Sequence, residues 1–149
     1  MPVQAVVGGG EVTRQNFDKA FEFTVGLEGG YSDDKNDPGG ETRYGISKRY
    51  NPDVDIKNLT LAQAKEIYLA RYWIPAGCDA YPYPYDVILF DGAVNPQNKG
   101  NKEILDQGPE NWQEFLLLRM VRYMKRSKDV YVKGHLQRVL KLYERIKEG

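Results

Sequence analysis

The chain has 149 residues, 41% hydrophobic and 28% charged, with 21 basic and 21 acidic side chains in balance, which suits a soluble domain large enough to bury a core. Its single cysteine, Cys78, excludes an intrachain disulfide, and its single histidine, His135, argues against a histidine-built zinc site and so against a zinc amidase or peptidase. No stretch approaches the length of a transmembrane helix.

Residues 1–12 read as a flexible leader ending in Gly8-Gly9-Gly10. They lack the basic region and apolar length of a secretory signal, so the expectation is synthesis in the cytoplasm. A helix is expected from Arg14 to Leu27, with Thr13 as its N-cap. Phe17, Ala20, Phe21, Thr24 and Val25 recur at i, i+3, i+4, i+7 and i+8 and form its apolar face. On that periodicity Glu28 falls on the buried stripe, and Gly29-Gly30 supply the left-handed residue that ends the helix. Apolar neighbours and the negative end of the helix dipole would both favour a protonated Glu28, the state that a general acid needs. The plainer alternative is a carboxylate fraying outward at a helix end.

The stretch after Glu28 is dense in turn residues: Gly29, Gly30, Asp37-Pro38-Gly39-Gly40 and Gly45. Such glycines allow close backbone approach to a ligand. Asp37 could face Glu28 across a cleft, activating water or stabilising an oxocarbenium-like transition state, with Thr42 helping to hold the water. Asp37 also fits a turn residue before Pro38, and Thr42 fits a helix N-cap. A small β-hairpin is expected within 31–45, followed by a short helix over Ile46–Tyr50 closed by Asn51-Pro52.

The run EGGYSDDKNDPGGETRYGIS, from Glu28 to Ser47, closely resembles the signature of glycoside hydrolase family 108, the phage-type N-acetylmuramidases. That resemblance implies that Glu28 is the catalytic proton donor. The Glu28, Asp37, Thr42 order is also similar, more loosely, to the catalytic triad of the better-known phage lysozymes. Glu41 departs from the pattern, which usually has a small residue or Pro before the Thr. The resemblance implies a mainly α, lysozyme-like fold of two lobes with at most a small β-hairpin after the first helix. Tyr31, Tyr44 and Gly45 become candidates for lining a sugar groove.

Further along, Thr60-Leu61-Ala62-Gln63 reads as a capping box that opens a helix with Leu61, Ala64, Ile67, Tyr68 and Tyr72 on one face, stopped near Trp73 by Pro75 and Gly77. Tyr81-Pro82-Tyr83-Pro84-Tyr85 is expected to run as an extended connector. It divides a catalytic lobe, residues 13–80, from a helical C-terminal lobe, residues 81–149, within one domain. Val87–Val94 reads as a short apolar helix. Phe90-Asp91-Gly92-Ala93-Val94-Asn95 resembles the segment that opens the family's peptidoglycan-binding region, although Asp91 and Asn95 at i, i+4 could simply bond each other. Helices are expected over Glu110–Met124, with Trp112, Phe115, Leu116, Met120 and Tyr123 inward, and after Asp129, with Leu136, Val139, Leu140, Tyr143 and Ile146 inward. Tyr131 to Val139 resembles a second family pattern, with His135 where Trp is usual, so that an aromatic contact is expected to be lost.

Between Arg119 and Gly149 there are ten basic residues against Asp129, Glu144 and Glu148. Such a surplus could attract an anionic polymer, or form an ordinary solvated helix face. The leading expectation is a peptidoglycan hydrolase, a muramidase cleaving the β-1,4 bond between N-acetylmuramic acid and N-acetylglucosamine, with no metal or other cofactor. Its partner is the glycan strand of the bacterial cell wall, reached with the help of a holin, as the resemblance to phage endolysins implies. The alternatives are a lytic transglycosylase, which needs no activated water, and a non-catalytic wall-binding or virion structural protein. Nucleic acid is not expected as a partner, because the C-terminal charges are not arranged in one stripe with interleaved aromatics.

Overall fold

The computed structural model describes Val3, residues 14–95 and residues 98–149, with Asn98 and Lys99 as backbone alone. The leader apart from Val3, the cap expected at Thr13 and the Pro96-Gln97 pair lie outside the described residues. What is described is mainly helical, with one small antiparallel sheet, as expected. Among the described residues no helix is long and apolar enough to cross a membrane.

Helix α1, Phe17–Thr24, buries Phe17, Ala20 and Phe21, the stripe legible in the sequence. It ends earlier than expected. Val25 caps it by donating to the Phe21 carbonyl, and Gly26, at φ +86°, turns the chain away. The left-handed residue is therefore Gly26, and neither Gly29 nor Gly30 has a positive φ.

The sheet is a hairpin of β1, Thr42–Arg43, and β2, Ile46–Ser47, in the register Thr42↔Ser47 and Arg43↔Ile46. Its two-residue turn, Tyr44 at φ 51° and Gly45 at φ 73°, is left-handed at both positions, the geometry that matches the twist of a tight hairpin. Ser32 bridges to Thr42 through both backbone hydrogen bonds. The expected helix over Ile46–Tyr50 does not form, because Ile46 and Ser47 are taken up as the second strand. For the same reason Thr42 is a strand residue and not a helix cap.

Helix α2, Leu61–Tyr68, opens on the capping box read from the sequence: Thr60 Oγ1 accepts from Gln63 N at 3.1 Å and Gln63 Oε1 accepts from Thr60 N at 3.0 Å. It continues as a wider π-helical turn, Leu69–Trp73, which delivers Trp73 fully into the core. A 3₁₀ turn, Cys78–Ala80, follows. The Tyr-Pro segment is not an extended connector. Tyr81 is extended, Tyr83 and Pro84 form a turn, and the chain passes through the Tyr83-Pro84 cis peptide bond straight into the next helix.

That helix, α3, Tyr85–Val94, is buried from Asp86 to Ala93 and is the centre of the fold. A helix apolar on nearly every side needs neighbours all round. It packs against α1, the π-helical turn, the 3₁₀ turn and α4, Asn98–Asp106. Helix α5, Trp112–Arg126, is N-capped by Asn111 and buries Phe115, Leu116, Arg119 and Tyr123. Helix α6, Asp129–Glu148, packs along α5 and buries Val139, Leu142 and Ile146. Leu140, expected inward, is exposed, and Leu142 takes its place. The first residue before α6 is Lys128, with no side-chain cap, so Asp129 lies inside the helix rather than capping it. His135 keeps an aromatic contact, stacking on Tyr123 with ring centroids 4.6 Å apart.

Candidate active site

Three residues, Val25, Gly26 and Leu27, separate the last helical residue of α1 from Glu28, and the chain turns at Gly26 so that Leu27 and Glu28 are exposed. Glu28 is exposed, not buried on the α1 stripe as expected. The early stop at Gly26 is the reason, since it takes Glu28 off the helical periodicity. Glu28 therefore lacks the apolar surroundings that the periodicity suggested. A groove is nevertheless present. Residues 22–28 form one wall of a cleft of about 610 Å³, and Lys141 and Arg145 of α6 form the other.

The cleft walls are fixed by interior polar groups. Thr24, at the end of α1, donates its hydroxyl to Asp91 Oδ2 at 2.8 Å. Asp91 in turn is ion-paired with Arg119 at 2.5 Å, with both side chains no more than 4% exposed. Burial alone would lower the Arg119 pKa, but the facing Asp91 and Tyr123 outweigh it and hold the guanidinium charged. Asn95 bonds back to the Asp91 carbonyl at 2.9 Å, and Arg138 of α6 donates to the Asn95 side chain. Arg145 donates to the Phe23 carbonyl and, at 3.4 Å, to that of Glu22, satisfying carbonyls that a helix end leaves open. So α3 anchors one wall through Thr24 and the other through Arg138.

The hairpin flanks Glu28. The Tyr44 ring lies directly against Gly29, where a Cβ would overlap its atoms. The Tyr44 carbonyl accepts from the Tyr68 hydroxyl of α2 at 2.6 Å, and a Cβ at Gly45 would stand 2.7 Å from that same hydroxyl. Tyr44 and Gly45 thus fasten the hairpin between α2 and the Glu28 segment. Tyr31 is half-buried and lies 5.5 Å from the Arg43 guanidinium, and desolvation and the nearby Glu41 carboxylate raise its pKa. Glu41, the departure noted in the sequence, is thus a neighbour of Tyr31.

Asp37 is exposed, its Oδ1 accepting from Gly39 N at 2.8 Å in a tight turn. Thr42 is half-buried and donates to the Gly40 carbonyl at 3.2 Å. Neither lines the cleft that holds Glu28. The structure brings Tyr44 beside the Glu28 segment, and brings to the cleft three charged residues that sequence reasoning missed: Glu22, Lys141 and Arg145. Glu22 falls on the polar side of α1, and the two cations lie more than a hundred residues away, so periodicity gave no reason to connect them. Among the described residues no group of three His, Cys, Asp or Glu is placed to hold a metal ion.

A model of the family Glycosyl hydrolase 108 matches residues 21–96. The chain belongs to the glycosyl hydrolase 108 family. As a member of that family it is a glycoside hydrolase, and its substrate is a glycan. The family match takes in the end of α1, Glu28, the hairpin, α2 and α3 with Asp91 and Asn95, and it stops before α4. Lys141 and Arg145, which complete the cleft in this glycosyl hydrolase, lie outside it. No curated protein and no solved structure matches the chain.

Proposed function

We propose that this glycosyl hydrolase is a lysozyme, an N-acetylmuramidase that hydrolyses the β-1,4 bond between N-acetylmuramic acid and N-acetylglucosamine in peptidoglycan. The observation that carries the reading is Glu28, a carboxylate with no hydrogen bond or ion pair among the described residues, on the wall of a cleft of about 610 Å³. Glu28 donates its proton to the leaving glycosidic oxygen. A glycan seated in the cleft displaces water from around that carboxyl and the scissile bond. A second carboxylate then orients the attacking water or shields the oxocarbenium-like carbon. Two residues compete for that role. Asp37, with Thr42 beside it in the chain, follows from the resemblance, and Glu22 shares the cleft with Glu28. Tyr31 and Tyr44 do not line the cleft, and their candidacy for sugar contact rests on the resemblance alone. The protein acts at the bacterial cell wall, and a phage endolysin released through a holin is the setting that the resemblance supports.

Mass spectrometry of fragments released from purified peptidoglycan tests the reading. Wild type should release hydrated reducing ends, and Glu28→Gln should release nothing while melting normally. Asp37→Asn and Glu22→Gln then identify the second carboxylate, the essential one losing about two or more orders of magnitude in rate. Ends lighter by one water would establish transglycosylation instead, and binding without release would establish a non-catalytic wall protein.

A further inference from the structure

Arg138, Lys141 and Arg145 recur at i, i+3 and i+7 along α6, so they share one face over about 10 Å of helix. That face borders the cleft, which Lys141 and Arg145 line. The outer two cations are occupied by the protein's own oxygens. Arg138 donates to the Asn95 side chain, and Arg145 to the Phe23 and Glu22 carbonyls. Lys141 stands between them, is exposed, and makes no hydrogen bond or ion pair among the described residues. An ammonium that no carboxylate of the cleft reaches, Glu22 and Glu28 included, stands between two engaged guanidiniums on the wall of a substrate cleft and is a receptor for an anionic group.

We propose that Lys141 is a substrate-specificity residue that receives a carboxylate carried by the muramic acid's substituent, the ether-linked lactate or the stem peptide joined to it, while Glu28 acts on the sugar bond. The proposal rests on the muramidase reading. A neutral N-acetylglucosamine polymer offers Lys141 nothing, whereas peptidoglycan carries a carboxylate-bearing arm on alternate sugars. The contact turns a cleft that would accept any β-1,4-linked amino-sugar chain into one that prefers the acidic one. It also gives the C-terminal helix, outside the family match, a part in choosing the substrate.

The test compares initial rates of fragment release from purified peptidoglycan and from the same material with its carboxylates converted to methylamides, at low and high salt. For wild type the ratio of native to amidated rates should be well above one at low salt and fall as salt screens the exposed contact. Lys141→Ala should lower that ratio by about threefold to fivefold, Lys141→Arg should preserve it, and Lys141→Glu should invert it. Lys141 is exposed, so these variants keep the wild-type melting temperature. A Lys141→Ala ratio equal to that of wild type at low salt overturns this inference and leaves the muramidase reading standing. Absence of fragments from both materials with wild type overturns the muramidase reading and this inference with it.

Discussion

At Gly29 the lack of a side chain is a packing requirement. A Cβ there would overlap the Tyr44 ring, and that ring cannot easily retreat, because the Tyr44 carbonyl is held by the Tyr68 hydroxyl at 2.6 Å. In Gly29→Ala the yielding element is therefore the segment that carries Glu28. The expected outcome is a stability loss of about 1–3 kcal/mol from overpacking and a fall in fragment release of about a hundredfold, because a small misplacement of a catalytic group is costly. Gly30→Ala is the control, since its Cβ meets nothing within 4 Å and its melting temperature should stay near that of wild type. Thermal melts and release assays on the two proteins check this. Gly29 of the Glu-Gly-Gly-Tyr run was thus legible as necessary, but for a different reason, and Gly30 is not required by the packing. Sequence spacing suggested a left-handed helix end at Gly29-Gly30, and Gly26 does that work. What makes Gly29 necessary is a ring fifteen residues away, which no local pattern contains. The same displacement of the helix end explains why Glu28 is exposed when periodicity placed it inside.

Among the helices, the apolar stripes of α1, α2 and α5 and the capping box of α2 could be read directly, because each is a local pattern that its own periodicity or cap makes visible. Helix α4 could not. Its residues are mostly polar and include Gly100, and it forms because Ile104 fills the core and Asn101 Nδ2 donates to the Leu89 carbonyl at 2.9 Å. Nor could the pairing of Asp91 with Arg119. Arg119 lies between Phe115-Leu116 and Tyr123, where periodicity asks for an apolar residue, and its partner is on another helix. This pair joins α3 to α5, while Asp91 also holds Thr24 of α1 at 2.8 Å. Removing one member strands a buried charge, so Arg119→Met should cost about 3–5 kcal/mol. The double variant Asp91→Asn/Arg119→Met should lose less than the two single losses added together, because the stranded charge is gone. Urea unfolding of the wild type, both single variants and the double variant measures that coupling. Simple addition of the two losses would mean that the buried pair is not coupled.

Across the whole chain, the sequence suggests a division into lobes of 13–80 and 81–149 at the Tyr-Pro segment, and α3 beyond that segment is buried against elements on both sides of it. A single core cluster runs from Phe17 to Ile146. The two tryptophans report on the two halves: Trp73 is fully buried beside Phe17 and Phe90, and Trp112 packs against Tyr143 of α6. Because α3 cannot stay buried if either half leaves, the Trp73→Phe and Trp112→Phe proteins should unfold in urea at coincident fluorescence and far-ultraviolet dichroism transitions. Acid adds a signature to the same measurement. The Asp79 carboxyl, bonded to Arg14 and to Trp73 Nε1 at 2.7 Å, has its pKa lowered chiefly by Arg14. The folded state therefore binds its proton more weakly than the unfolded chain does. The stability that Asp79 contributes is present above about pH 4, the unfolded value, and is lost as pH falls through the lower folded value. Asp86 is opposite in sign. Full burial raises its pKa even though Asn16 Nδ2 and the Val87 N–H donate to it at 2.9 and 2.8 Å. The folded state binds that proton more tightly, so its penalty at neutral pH is relieved as pH falls from the folded value toward about 4. Stability against pH should accordingly show a shoulder on acidification before it drops. Asp79→Asn should cost about 1 kcal/mol at pH 7, given that Arg14 is partly exposed, and should flatten the drop below pH 4. Asp86→Asn should remove the shoulder and leave the drop. A monotonic fall unchanged by either substitution would assign the acid limb to other carboxylates.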